Sequence, residues 1–294
     1  MDEQQLSNAV TRYATIRKRL VEYDSSHKDV VEKLVKNSVA ARKLKANGIW
    51  QILWPLPFYS GVRATCARRR ENAARNGGWF DDYRHFVNGA NDPQHDWHVT
   101  TEGQYRVAIG QWARDFCGSE GKCADVGIRT SARVIQRICR LADVIAACEE
   151  ESDDINQSFL YKLSKGDPST PEAFQIAKDK LAPAIGNITA LHALMDLGFQ
   201  TVKPDKWLCR LAVQWSWIEG YNSADLEQNR RNGHQALTEA CQKIASAAAG
   251  TFPSANPIRE LDYYVANYGM NMGNLEGDHA GQPRHAECRV TAGE

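Results

Sequence analysis

Apolar residues in this chain recur three or four positions apart over long stretches, and no stretch alternates apolar and polar residues as a half-buried strand does. The first such stripe is formed by Tyr13, Ile16, Leu20 and Tyr23. The same period recurs over residues 129–150, where it marks one face of a longer helix. We therefore expect an all-α fold.

Turn-forming residues and prolines divide the chain into helical segments. The expected segments are two helices within 3–47, then 101–117, 129–150, about 155–163, 172–181, one from about 187, and helices from Pro204 to about Gly220, Ser223 to Gly250 and Ile258 to Tyr268. Between them, Pro55 and Pro57 predict an extended or turning segment over 49–59. Residues 76–100, rich in Gly, Asn and Asp, predict a long loop.

This order of segments suggests how the chain is organised. We expect N-terminal helices and an aromatic loop over 1–100 to pack with C-terminal helices over 221–270, which complete the same lobe. A second helical domain is expected over 101–220. The Gly- and His-rich residues 271–294 predict a flexible tail.

The net charge of zero hides an asymmetry along the chain. Residues 1–75 carry 15 Lys and Arg against 7 Asp and Glu, a balance of +8, and the remainder carries 21 against 29, a balance of −8. A basic N-terminal third is compatible with a polyanionic partner, although charge runs are more often solvated helix surface. No run of about 18 apolar residues predicts a membrane span. The first residues lack a secretion signal, so we expect a cytoplasmic protein.

Eight cysteines are present and none forms a CxxC pair. Without a secretion signal, buried free thiols are expected rather than a disulfide framework. His95, Asp96 and His98 lack the companions of the usual ligand patterns, so we expect no metal there.

The most informative motif is Pro183-Ala-Ile-Gly186, which predicts a tight turn between a helix over 172–181 and a second helix from about Asn187. The first N–H groups of a helix have no partner within the helix, and they lie at the positive end of its dipole. Such a turn can approach a phosphate closely without reading the base sequence.

Lys203-Pro204-Asp205 predicts the start of the next helix, with Asp205 in its first turn. The helix dipole favours a negative charge at that position. In isolation, an Asp after a Pro at a helix start is usually a structural cap.

Pro183-Ala-Ile-Gly186, the pair Thr189-Ala190, and Asp205 with Arg210 together resemble the signature of the helix-hairpin-helix (HhH-GPD) DNA glycosylases. The likeness covers about residues 181–210, and Asp205 lies 17 positions after Ile188. It implies two helical lobes around a DNA-binding cleft and a catalytic role for Asp205. It also implies that the DNA backbone is bound by Ala184, Ile185, Gly186, Asn187, Thr189 and Lys203.

Two departures from that family pattern refine the expectation. Ala184 replaces the first hairpin glycine, which implies a turn slightly less close to DNA. Ile188 occupies the position of the Schiff-base lysine of bifunctional members, so the resemblance implies a monofunctional enzyme. Lys203 is interpreted as a phosphate contact rather than a nucleophile. The cysteines for an iron–sulfur centre are absent; no cofactor is expected, and a monovalent cation at the hairpin is left open.

The implied substrate is double-stranded DNA whose damaged or modified base is flipped into a pocket of a monomeric enzyme. The aromatic candidates for that pocket are Trp54, Phe58, Tyr59, Trp79 and Trp207. Alkylated or oxidised bases would indicate repair, and a hypermodified phage cytosine, such as glucosylated hydroxymethylcytosine, would indicate antiviral defence. The alternatives are a non-catalytic helix-hairpin-helix DNA-binding protein and an all-α interaction protein whose hairpin match is accidental.

Overall fold

The computed structural model describes residues 1–59, 64–98, 124–151 and 157–271. These residues form helices and turns, with no β-strand among them, which confirms the all-α class. The α-helices are α1 (Glu3–Tyr23), α2 (Ser26–Ala41), α3 (Ala46–Leu53), α4 (Ala64–Asn76), α5 (Ala124–Glu150), α6 (Phe159–Ser164), α7 (Pro171–Ile185), α8 (Asn187–Asp196), α9 (Lys206–Gln214), α10 (Ser223–Glu227), α11 (Gly233–Ala248) and α12 (Pro257–Asn271). Three 3-10 turns are η1 (Leu56–Tyr59), η2 (Tyr83–Phe86) and η3 (Arg230–Asn232). Within the described ranges, no helix is both long and apolar enough to cross a membrane.

Contacts divide the chain into two compact units. The first consists of Met1–Val35 with Pro204–Glu294, and the second of Lys36–Lys203. The chain therefore passes from one unit to the other within α2 and again between Lys203 and Pro204. These boundaries fall at other positions than the ends of the segments expected from the sequence, 100 and 220.

In the first unit, α1 packs against α11 and α12. Arg17 on α1 forms an ion pair with Glu260 on α12, with 2.6 Å between Nη2 and Oε1. The same guanidinium lies 4.1 Å from the ring centroid of Phe252. Tyr23 does not continue the predicted apolar stripe, because its side chain at the last residue of α1 is 60% exposed.

In the second unit, α5 packs against α3, η1, η2, α6 and α7. The segment predicted as a long loop, 76–100, contains no α-helix over residues 77–98, and it delivers aromatic side chains to this core. The Trp50 indole N–H donates to the Phe80 carbonyl at 2.7 Å. The rings of Trp54 and Phe80 stack with their centroids 4.9 Å apart.

Several helix boundaries differ from the prediction for local reasons. The segment over 49–59 is helical to Leu53 and forms η1 from Leu56, because Pro55 follows the helix end and Pro57 suits a 3-10 turn. The single helix expected from Ser223 to Gly250 is two helices, separated by Asn229, Arg231 and Asn232 in left-handed conformations. The helix expected over 101–117 lies outside the described residues, as does residue 272 onward of the expected tail.

Gly198, which follows α8, permits a close approach of two backbone segments in the second unit. Its φ is +88°, and a Cβ at this position would lie 2.5 Å from the carbonyl oxygen of Ser38 on α2. Gly186, between α7 and α8, has a similar φ of +87° but open space around its missing Cβ. The two glycines therefore share a positive φ and differ in packing.

We expect Gly198→Ala to lower the free energy of unfolding by about 1–3 kcal/mol more than Gly186→Ala, because only the first substitution forces a side chain into occupied space. Both variants pay a backbone cost of about 1–3 kcal/mol for the left-handed conformation. Urea unfolding followed by circular dichroism measures the difference. Equal losses in the two variants would contradict the close approach of Gly198 to Ser38.

Candidate functional site

The helix-hairpin-helix candidate consists of α7, Gly186 and α8. Thr170 caps α7 by accepting from the Ala173 N–H at 3.2 Å, and Pro171 occupies the first turn, as predicted. The predicted four-residue turn is wrong. The helix continues through Pro183 to Ile185, and Gly186 alone, at φ 87° and ψ 152°, reverses the chain. That conformation is essentially restricted to glycine.

The start of α8 presents main-chain donors rather than a side-chain cap. The Gly186 carbonyl accepts the first helical bond, from the Ala190 N–H at 2.8 Å, and no side chain caps the helix. The N–H groups of Asn187, Ile188 and Thr189 therefore precede the hydrogen-bonded part of α8. Asn187 is exposed and Ile188 is 38% exposed. This arrangement suits an anion that accepts hydrogen bonds from these backbone N–H groups.

The remaining predicted backbone-binding residues are placed unequally. The side chains of Ala184 and Ile185 are buried in the core of the second unit, at 4% and 0% exposure, so only their main chain could meet a ligand. Thr189 is half-buried at the start of α8. Lys203 is also half-buried and is the last residue before the chain enters the first unit.

Asp205 is the N-cap of α9, one position before the first turn in which the sequence placed it. Its Oδ1 accepts two backbone hydrogen bonds, from the N–H of Trp207 at 2.9 Å and from the N–H of Leu208 at 3.0 Å. Its own carbonyl accepts from the Cys209 N–H at 3.0 Å. The second carboxylate oxygen, Oδ2, takes part in none of these bonds. Both the backbone and the side chain of Asp205 are therefore held, with one oxygen left for chemistry.

The residues that follow Asp205 on α9 include two cations beside Trp207 and a buried thiol. Lys206 Nζ and the Arg210 guanidinium lie 4.9 and 5.9 Å from the ring of Trp207. Arg210 Nε also lies 4.0 Å from Glu227 Oε1. Burial raises the pKa of the Cys209 thiol, and the charge of Asp205 raises it further. Sequence analysis did not single out Cys209, although a spacing of four residues places it on the same helix face as Asp205.

The aromatic residues proposed for a base pocket fall into two groups. Trp54 and Phe58 are each 1% exposed and pack on one another and on Phe80, so they form core rather than an accessible wall. Tyr59 and Trp79 are half-buried at the edge of that core, in the second unit, and Trp207 is half-buried in the first.

Tyr59 belongs to a hydrogen-bonded cluster rather than to an open surface. Its hydroxyl donates to Glu71 Oε2 at 2.6 Å, and Arg75 donates to Glu71 Oε1 at 2.9 Å. Burial and the bond to Glu71 raise the pKa of Tyr59 to about 12. The Arg75 guanidinium lies 4.7 Å from the Trp54 ring and closes this cluster. The bonds give Tyr59 and Arg75 structural roles.

The cysteines described with their side chains, Cys139, Cys148, Cys209 and Cys241, are buried and free, which confirms the expectation for these four. Among the residues that the structure describes, no group of three or more His, Cys, Asp or Glu could hold a metal ion. Comparison with known proteins identifies no family, because no protein-family model, curated protein or solved structure matches this chain.

We expect Asp205→Ala to lower the free energy of unfolding by about 0.5–2 kcal/mol, because two N–H groups of α9 lose their acceptor. Asp205→Asn should keep most of the stability, since its amide oxygen can accept the same bonds. Urea unfolding of the two variants measures this contrast. An Ala variant as stable as the Asn variant would show that the bonds of Oδ1 do not contribute.

Proposed function

We propose that this chain is a monofunctional DNA glycosylase that hydrolyses the N-glycosidic bond of a flipped, damaged or modified base and leaves an abasic site. The observation that carries the proposal is the held carboxylate of Asp205, at the head of α9 and 17 residues beyond Ile188. The resemblance of residues 181–210 to helix-hairpin-helix glycosylases adds the reaction class.

The α7–Gly186–α8 hairpin supports the DNA-binding part of the proposal. The N–H groups of Asn187, Ile188 and Thr189 suit a phosphate because they add donors to the positive end of the helix dipole. Contacts of this kind hold a duplex in register and carry no sequence information. We therefore propose that the hairpin binds the DNA backbone and leaves selectivity to the pocket that receives the base.

Asp205 supplies the chemistry in this proposal. Cleavage of the N-glycosidic bond leaves positive charge on the deoxyribose, while the bonding electrons leave with the base. Oδ2 stabilises that charge, and it orients and deprotonates the water whose oxygen bonds to C1′. The two bonds to Oδ1 keep the carboxylate from rotating away, so little reorganisation is needed during the reaction. Ile188 offers no amine to attack the sugar, which is why hydrolysis without strand cleavage is proposed.

Two classes of base remain within the proposal. An alkylated or oxidised base would make the protein a repair enzyme, and a hypermodified phage cytosine would make it a defence enzyme. Trp207 is the pocket candidate that lies closest to Asp205 in the chain and is not fully buried. Half-buried Trp79 is the other candidate with an accessible part, since the hydroxyl of Tyr59 is engaged with Glu71.

The second candidate function is a non-catalytic DNA-binding protein. The capping bonds of Asp205 favour it, because they give the carboxylate a sufficient structural reason to be there. This alternative retains salt-dependent DNA binding by the hairpin and yields no abasic product from any substrate.

We expect Asp205→Asn to fold and to bind DNA as the wild type does, but to release base at least about a hundredfold more slowly, because the amide cannot neutralise the sugar cation. Base release is measured as alkali-labile abasic sites. The substrates are duplexes with alkylated or oxidised bases and phage DNA with glucosylated hydroxymethylcytosine.

The matched control is Asp82→Asn. Asp82 also caps a helical turn, η2, by accepting from the Arg84 N–H at 3.0 Å, so the same chemical change is made at an unrelated cap. The control should release base at the wild-type rate. Base release by Asp205→Asn at the wild-type rate would exclude the catalytic role. Wild-type protein that binds DNA but releases no base from the whole panel would favour the non-catalytic alternative.

A further inference from the structure

The chain contains a long stretch without acidic residues. Residues 33–70 carry nine Lys and Arg and no Asp or Glu, in a chain that balances 36 basic against 36 acidic residues. Residues 36–47 of this stretch run from the last turns of α2 into α3 and are called here the basic segment. Its exposed side chains include four cations, at Lys36, Arg42, Lys43 and Lys45.

The basic segment is anchored on one side and open on the other. Ser38 and Ala41 are buried at 1% and 0% exposure, and the Ser38 carbonyl lies against Gly198. Arg42 donates from Nη2 to the Gly198 carbonyl at 3.2 Å. These contacts, all within the second unit, hold the helix end in one orientation.

Lys36 and Lys43 lie on the open face. They are seven residues apart, a spacing that returns to the same side of a helix. Residue 43 lies in the turn just beyond α2, where its N–H donates to the Ala40 carbonyl at 3.0 Å. Ala40 itself is exposed and small. A partner can therefore come close to the helix between the two lysines.

Neither lysine is engaged in an ion pair among the described residues. No carboxylate of these residues lies within 4.0 Å of either amine, whereas Lys18 pairs with Glu22 at 3.8 Å. The nearest acidic residue in the sequence is Glu32, one turn before Lys36 on α2. Asp167 interacts electrostatically with Arg42. Cations clustered in a stretch without acidic residues produce a positive potential that attracts a polyanion.

We propose that the basic segment is a second contact for the phosphate backbone of DNA, in addition to the α7–Gly186–α8 hairpin. Lys36 and Lys43 each neutralise a phosphate and release its condensed counterions. Exposed Asn37 and Asn47 add neutral side-chain donors of the kind that often accompany such contacts. This contact requires no base excision, so it can hold even if the chain is not a glycosylase.

The competing structural explanation is compensation of the helix dipole. Cations near a helix C-terminus stabilise it by about 0.3–1 kcal/mol, and Arg42, Lys43 and Lys45 lie just beyond the end of α2. That explanation does not reach Lys36, which lies more than one turn before the end of α2. The effect of the lysines on DNA binding therefore separates the two explanations.

The test compares Lys36→Gln/Lys43→Gln with the control Lys18→Gln/Lys28→Gln, which removes the same charge from two exposed lysines of the first unit. Fluorescence anisotropy measures the affinity of each protein for a labelled, undamaged DNA duplex across a salt series. Because each lost phosphate contact lowers the salt slope by about 0.9, we expect the first variant to lose about 1.8. Its affinity deficit should then shrink roughly tenfold between about 50 and 200 mM salt.

The control should keep the wild-type slope. A slope unchanged in Lys36→Gln/Lys43→Gln, or lowered equally in both variants, would overturn the proposal in favour of a general charge effect. Vesicles of phosphatidylcholine and phosphatidylserine form a second arm, and lysine-dependent binding to vesicles without lysine-dependent binding to DNA would overturn it in favour of a membrane. The duplex carries no excisable base, so neither result depends on the glycosylase assignment.

Discussion

One carboxylate oxygen accepts from the backbone N–H groups of Trp207 and Leu208, the second and third residues of α9, and the position of Asp205 follows from this pair of bonds. A buried donor left without a partner costs about 1–3 kcal/mol, so rotation of the side chain away from α9 is opposed twice. A structural cap and a catalytic carboxylate are therefore compatible roles for one residue. The bonds that stabilise the helix also give Oδ2 the fixed position that electrostatic catalysis requires.

Long helices are the part of the fold that could be predicted from the sequence. Burial of one helix face requires apolar residues at every third or fourth position, and this spacing is visible in the sequence. The two N-terminal helices, α5 and α12 are examples. The short breaks could not be predicted. Proline usually ends a helix, yet α7 continues through Pro183 because buried Ala184 and Ile185 pack its last turn against the core. Asn229 and Arg231 adopt left-handed conformations although neither is a glycine, so their residue types did not predict the break.

The sequence predicts a candidate site only where residues occur at a fixed spacing. Asp205 could be placed at a helix start because a proline precedes it, and its catalytic role stays a prediction that depends on its separation from the hairpin. The pocket aromatics could not, because a core and a base pocket select the same large rings. Trp54 and Phe58 flank the two prolines in the sequence. Both belong to the core, since the ring of each packs on the ring of Phe80. The sequence gives the hydrophobicity and size of these aromatic side chains. Their exposure depends on the residues that pack against them in the folded chain, which the sequence alone does not give.

An enzyme that uses a carboxylate on DNA must reconcile two opposite electrostatic requirements. Phosphates need a positive surface, and the sugar cation needs a negative oxygen, which itself repels phosphates. Within the proposed function, the dipole of α9 favours the negative charge of Asp205 at its start, and Lys206 and Arg210 follow on the same helix, 4.9 and 5.9 Å from the ring of Trp207. Binding strength can then come from residues remote in sequence, such as the basic segment, rather than from a positive surface at Asp205.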